Sequence, residues 1–253
     1  MRPFVLIERF YGLTVWRRER ILASFSPVLL RMKALGQILR SLLFLGVAKP
    51  FVALVLGVDL RGRERLPKKG PALLVANHNS HLDTLVLMTL FSVRQLPGLR
   101  PVAAGDYFLR NRLLRWFSLR LVGVIPITRN PAVSGGHPLT PCLEALDRGE
   151  MLILFPEGSR GEPEARAPFK RGVAHLAKSR QEVPVVPVCL GGTGLALPRG
   201  EALFVPRVCR LVIGEAFTWT GDSAGFMSEL EDRFAALEAE IAPPPFPSHP
   251  NMT

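Results

Sequence analysis

Pro71-Ala72-Leu73-Leu74-Val75-Ala76-Asn77-His78-Asn79-Ser80-His81-Leu82-Asp83 is the stretch on which the reading of this chain turns. Its apolar run shows no polar alternation, the pattern of a strand covered on both faces inside a parallel sheet. A polar turn follows, and helical spacing begins near His81 and runs to Phe91. Strand, turn and helix open a βα unit, and in open α/β sheets ligands gather at the carboxyl ends of the strands. Chemistry is therefore sought first in the Asn77–Asp83 turn.

The alternation continues downstream. Pro101 to Ala104 reads as a strand, and Leu109 to Leu121 as a basic amphipathic helix carrying Arg110, Arg112, Arg115 and Arg120. Val122 to Ile127 and Met151 to Phe155 read as strands, with a helix over Thr140 to Arg148 between them. A helix over Phe169 to Ser179 and a strand over Val183 to Leu190 come next. Cys209 to Phe217 closes the sheet and Ser223 to Ile241 is a terminal helix. The predicted fold is α/β, a mostly parallel or mixed central sheet flanked by helices. In Val183–Val188, Pro184 and Pro187 argue for an edge, a bulge or a pocket wall over a regular central ladder, with plain core as the alternative.

Upstream the composition changes. Arg17, Arg18, Arg20, Arg31, Lys33 and Arg40 are interleaved with large apolar residues, as in a basic amphipathic helix. Ser41 to Val58 is then almost wholly apolar, with Lys49-Pro50 at its centre. A central charge and a helix-breaking proline favour two short helices in one leaflet over a clean span, the alternative being a hairpin packed on the protein's own core. The organisation expected is a membrane-associating helical segment over 1–65, an α/β domain over 66–242 and a disordered Pro-rich tail over 243–253.

The 253 residues carry a net charge of +11. A polyanion is the expected partner. Yet 48% of residues are hydrophobic and mean hydropathy is +0.22, which points away from nucleic acid and toward a membrane surface. Cys142, Cys189 and Cys209 are scattered without a CxxC pair, so neither a disulfide framework nor a zinc knuckle is expected. No cleavable signal is evident after Met1-Arg2.

Within the opening turn, a histidine five residues before an aspartate can be a base whose tautomer the carboxylate sets. Ser80-x-x-Asp83 is equally a capping box, and His78-x-x-His81 only weakly suggests metal ligands. Gly123 to Arg129 delivers an arginine to a strand end, suited to phosphate or merely exposed. Phe155-Pro156-Glu157-Gly158-Ser159-Arg160 ends a strand in a turn whose glycine admits a ligand to the backbone, with a hydroxyl and a cation after it. Lys170 and Arg171 add cations at the next helix start. A solvated basic loop is the plainer reading, given Glu162 and Glu164.

In order and spacing, Asn77-His78-x4-Asp83, Gly123–Arg129, Phe155–Arg160 and Val183–Val188 resemble the 1-acylglycerol-3-phosphate acyltransferase family. The resemblance covers roughly residues 70 to 190, and the first and third blocks in combination carry most of its specificity. It implies an O-acyltransferase that moves a fatty acyl group from acyl-CoA or acyl-carrier protein to the hydroxyl of lysophosphatidic acid, giving phosphatidic acid in phospholipid biosynthesis. His78 would be the general base and Asp83 its orienting partner. Arg129, Glu157, Gly158, Ser159, Arg160 and Lys170 would form the acceptor's phosphate side. Neither a metal nor a cofactor beyond the acyl donor is implied. The enzyme would sit on a membrane with its active site on the cytoplasmic face. Ser159 stands where threonine is usual, Gly161 where serine often follows, and Pro126 replaces a bulkier apolar residue. Ala103-Ala104-Gly105-Asp106 lacks the lysine many relatives carry there. The missing lysine bears on acceptor identity more than on reaction type. Outside that family, a non-catalytic membrane-surface binding protein is the contrasting reading, and another lysolipid acceptor the nearer one.

Overall fold

The computed structural model describes residues 35–80, 82–105, 111–128, 137–159, 166–196 and 208–241. Helix α1 (Leu35–Leu56) leads into β1 (Val58–Arg61). Then come β2 (Ala72–Ala76), α2 (Leu82–Thr89), β3 (Leu99–Ala104) and α3 (Arg112–Trp116), which continues in the wider π turns of Phe117–Val122. β4 (Ile125–Ile127), α4 (Thr140–Asp147), β5 (Met151–Leu154) and α5 (Gly172–Ser179) follow. β6 (Val185–Gly191), the single turn α6 (Thr193–Ala196), β7 (Cys209–Ile213) and α7 (Ser223–Ile241) complete the order.

The strands form one seven-stranded sheet in the order β1-β7-β6-β2-β5-β3-β4. Every neighbouring pair is parallel except β6 and β7. The sheet is thus mixed, with β2 near its middle. Alternation of side chains across β2 sends Ala72, Leu74 and Ala76 into one core with α1 and α2. Leu73 and Val75 enter the opposite core with α4, α5 and α7. Both faces are covered, which is why β2 reads as unbroken apolar sequence.

Three features differ from the sequence reading. First, Leu35–Leu56 is one continuous helix and not two. π turns at Phe44–Ala48 and Val52–Leu56 flank Pro50, and Lys49 N–H reaches back to Phe44 O, so the wider turns make room for the proline ring. Second, β1 lies within the stretch read as membrane helices and charged link, so the sheet begins before residue 66. Its short Val-Asp-Leu-Arg alternation is that of a sheet-edge strand, hidden beside the long apolar run. Third, β6 is an interior strand. Pro187 is tolerated because its backbone faces β7 just beyond the Val188–Ile213 pair, where its carbonyl accepts from Gly214 N–H at 2.8 Å and no N–H is needed. The segments read over 1–34 and 243–253 lie outside the described residues.

Helix α1 buries Arg40, Phe44, Ala48, Val52 and Leu56, a strict four-residue row. On a pure α-helix that row would drift by about 40° per step. The π turns straighten it. Arg40 guanidinium donates to Leu99 O at 2.9 Å and Val122 O at 2.8 Å, and lies over Gly123, where an added Cβ would stand 3.0 Å from Nη1. An arginine read as part of a lipid-facing amphipathic helix instead fastens α1 to β3 and α3.

Candidate active site

β2, β5 and β6 run parallel, so their carboxyl ends meet along one edge of the sheet. His78 lies just past β2, Phe155 just past β5, and Leu190 near the end of β6. The Asn77 side chain extends the β2–β6 ladder: its amide donates to Leu190 O at 2.8 Å and accepts from Leu190 N–H at 2.7 Å. Asn79 donates to the same carbonyl at 3.0 Å. These amides satisfy a buried turn that would otherwise leave polar groups without partners.

Asp83 is fully buried in the first turn of α2. Its Oδ2 accepts backbone N–H groups of Asn79 and Ser80, each at 2.7 Å, and lies 2.9 Å from His78 Nδ1. A carboxylate only accepts, so Nδ1 carries the proton and Nε2 is left as the acceptor. Phe155 stacks on the imidazole with centroids 4.1 Å apart and planes 23° from parallel. The ring is held by both its edge and its face. The capping and orienting readings of Asp83 are not alternatives; one oxygen does both.

Glu157 is buried, and both its oxygens are taken. Oε1 accepts His78 N–H at 2.8 Å and Oε2 accepts Ala167 N–H at 3.0 Å. Burial pushes its carboxyl above the ordinary glutamate value, while the Ala167 and His78 N–H groups pull it back down. Glu157 therefore ties the histidine turn to residues 166–170 and shapes the site from behind. Arg166 anchors the same segment on α7 through Glu238 at 2.7 Å and over the Phe169 ring at 4.6 Å. Gly158 has φ +72°, and an added Cβ would fall 2.5 Å from Lys170 Nζ, so the lysine passes close across the glycine. Lys170 N–H donates to Pro156 O at 2.8 Å, which fixes where that side chain starts.

His78, Gly158, Ser159 and Lys170 line a cavity of about 1080 Å³. Apolar side chains line most of the remainder, among them Phe44 and Phe51 of α1, Leu114 and Phe117 of α3, and Met88 of α2. The site thus joins a base-like imidazole and a cation to a large, mostly apolar space. Among the described residues no cluster of three or more His, Cys, Asp or Glu could hold a metal. Burial pushes the Cys142 thiol up to about 12, leaving it inert. Arg129, Arg160 and His81 lie outside the described residues.

Several contributors were not singled out from sequence. Phe155 opened a motif without a role, because its contact with His78 depends on β5 lying beside β2. Asn77 and Asn79 carried a signal, since amides at the end of a buried strand need partners. The cavity walls from α1 and α3 carried none.

The solved structure of the 1-acyl-sn-glycerophosphate acyltransferase PlsC from Thermotoga maritima superimposes with a TM-score of 0.61 over 93% of this chain and 90% of that one, at 24% identity, a likeness of fold. The chain is 34% identical over 144 residues to the chloroplastic 1-acyl-sn-glycerol-3-phosphate acyltransferase BAT2 of Brassica napus, covering 56% of this chain and 40% of that protein. It is 30% identical over 208 residues to the 1-acyl-sn-glycerol-3-phosphate acyltransferase of Saccharomyces cerevisiae, covering 80% and 62%. It therefore spans less than two thirds of the length of either relative. The family model described as Acyltransferase matches residues 57–191, from β1 through β6 and so across the whole histidine site. With more than half of its length inside that match, the chain belongs to the acyltransferase family.

Proposed function

We propose that the protein transfers a fatty acyl group from a thioester donor to the free hydroxyl of 1-acylglycerol-3-phosphate, giving phosphatidic acid. The observation that carries this reading is the Asp83-bound, Phe155-stacked His78 in the wall of a large, mostly apolar cavity. His78 Nε2 takes the proton of the acceptor hydroxyl as its oxygen attacks the thioester carbonyl. The new C–O bond forms, the C–S bond breaks, and the imidazolium returns the proton to the departing thiolate. Asp83 stabilises the imidazolium and keeps Nδ1 protonated. Lys170, which lines the same cavity, suits the acceptor phosphate, and Arg129 and Arg160 are assigned to that phosphate on their motifs alone. The acyl chain occupies the apolar remainder. Acyl-CoA or acyl-carrier protein serves as donor, both being anionic and suited to a +11 chain.

Helix α1 is long and apolar enough to cross a membrane. Its buried row, however, packs on the domain from Arg40 to Leu56, which a helix surrounded by lipid could not do. We therefore place it along the membrane interface, with Ile38, Leu42, Leu45 and Leu54 outward, on the cytoplasmic face.

The test is phosphatidic acid formation from lysophosphatidic acid and acyl-CoA or acyl-carrier protein, followed by mass spectrometry beside a panel of other lysolipids. Wild-type protein is expected to form product, and His78→Ala to lose about 10²–10⁴-fold in rate while keeping its circular dichroism spectrum. Full transfer by folded His78→Ala, lipid binding without any product, or release of free fatty acid alone would each overturn the reading.

A further inference from the structure

Helix α3 carries a second apolar surface that the site chemistry does not use. Asn111 caps it, its side chain accepting Leu113 N–H at 2.9 Å, and Ser118 and Leu121 turn inward. The outer side is unusual for a water-facing helix: Leu113 is 78% exposed and Trp116 51%. Arg112, Arg115 and Arg120 share that exposed surface, and none has an ion-pair partner among the described residues. Trp beside Leu and unpaired Arg is the composition of a helix lying at a lipid–water boundary.

Helix α3 lies beside α1. Arg40 of α1 bonds Val122 O at the end of α3's last turn. Leu43 and Val47 of α1, with Leu114 and Phe117 of α3, also line the same cavity while remaining partly exposed, so they stand at its mouth. Partly exposed apolar side chains of both helices thus border one opening.

We propose that α3 is a second membrane-contacting element, which sets Leu113 and Trp116 among the lipids and Arg112, Arg115 and Arg120 on anionic lipid phosphates. Contact through α1 alone would let the domain pivot about that helix; a further contact through α3 restrains the pivot and turns the cavity mouth to the bilayer. Charge decides the occupant. A second copy would bring the same arginines face to face, whereas an anionic bilayer complements them. The membrane contact itself needs no catalysis; its consequence for turnover rests on the acyl-transfer reading above.

The three native cysteines are buried, so Leu113→Cys creates one reactive thiol in the folded protein. That thiol is labelled with an environment-sensitive fluorophore and mixed with vesicles of phosphatidylcholine containing about a third phosphatidylglycerol. A blue shift, and quenching by nitroxides on the lipid chains, are expected. An unshifted label on protein that co-sediments with the vesicles would refute the contact. So would a blue shift that appears without lipid as protein concentration rises, which marks a second copy.

In the unlabelled protein, Leu113→Glu with Trp116→Glu changes neither a cavity-lining residue nor the helix cap. This variant is expected to partition onto the vesicles at least about tenfold more weakly. It should keep wild-type turnover on lysolipid in detergent micelles and lose it on vesicles. Unchanged partitioning overturns the contact. Absent wild-type turnover in micelles overturns the catalytic reading and leaves the vesicle result to stand alone.

Discussion

Asp83 Oδ2 gathers the N–H groups of Asn79 and Ser80 and the Nδ1–H of His78, so one atom shapes the turn and aims the ring. Asp83→Asn keeps an oxygen for the turn but loses the charge that favours imidazolium. Acyl transfer should fall by about 10²–10⁴-fold, against a stability loss of about 1 kcal/mol in a urea melt. Asp83→Ala strands two buried N–H groups and should cost about 2 kcal/mol or more. Glu157 adds a pH dependence. Its folded carboxyl sits above the ordinary value because it is buried, so its contribution is greatest at pH below that ordinary value. That contribution is lost as pH rises through the folded value. Denaturation of wild type and Glu157→Gln across pH 4 to 8 should show the wild-type advantage shrinking upward; a gap that widens with pH would refute this assignment. The His78–Asp83 pair was legible because its spacing is local. Glu157 was legible only as a charge near a phosphate site, because its partners lie 79 and 10 residues away.

At the scale of elements, the Arg40 clasp is the connection most open to test. Removing the guanidinium leaves Leu99 O and Val122 O with unmet acceptors and leaves space over Gly123. Arg40→Ala should cost about 1–3 kcal/mol and raise hydrogen exchange across Phe44–Leu56 before the sheet responds. Equal acceleration in β2 would mean that α1 is part of one cooperative unit. The helical nature of this stretch was plain from its apolar run. Its continuity was not, because proline argues for a break and π turns leave no mark in composition. Interior placement of β6 was likewise hidden, since Pro187 is harmless only on knowing which side of the strand its missing N–H faces.

For the whole molecule, alternating strand and helix patterns implied a parallel sheet with its chemistry at the carboxyl edge. Strand order and the antiparallel β7 depend on contacts far apart in sequence and left no local trace. The +11 charge acts at this scale too. Association with anionic vesicles should weaken markedly between 50 and 500 mM salt, as screening shortens to about 10 Å at 0.1 M and below that at higher salt. Co-sedimentation across that range, with zwitterionic vesicles as reference, measures the electrostatic share. A last consequence comes from β1, which pairs with β7 and joins Val58 to Cys209 in register. At ordinary elongation rates of about 5–20 residues per second, α1 and β1 leave the ribosome roughly 8–30 s before that partner. Through this interval the helix has no completed sheet to rest against, so part of its apolar surface stays open to a bilayer nearby. On the membrane placement proposed above, α1 would meet the bilayer before β7 completes the sheet, and the finished domain would close onto a helix already at the lipid surface.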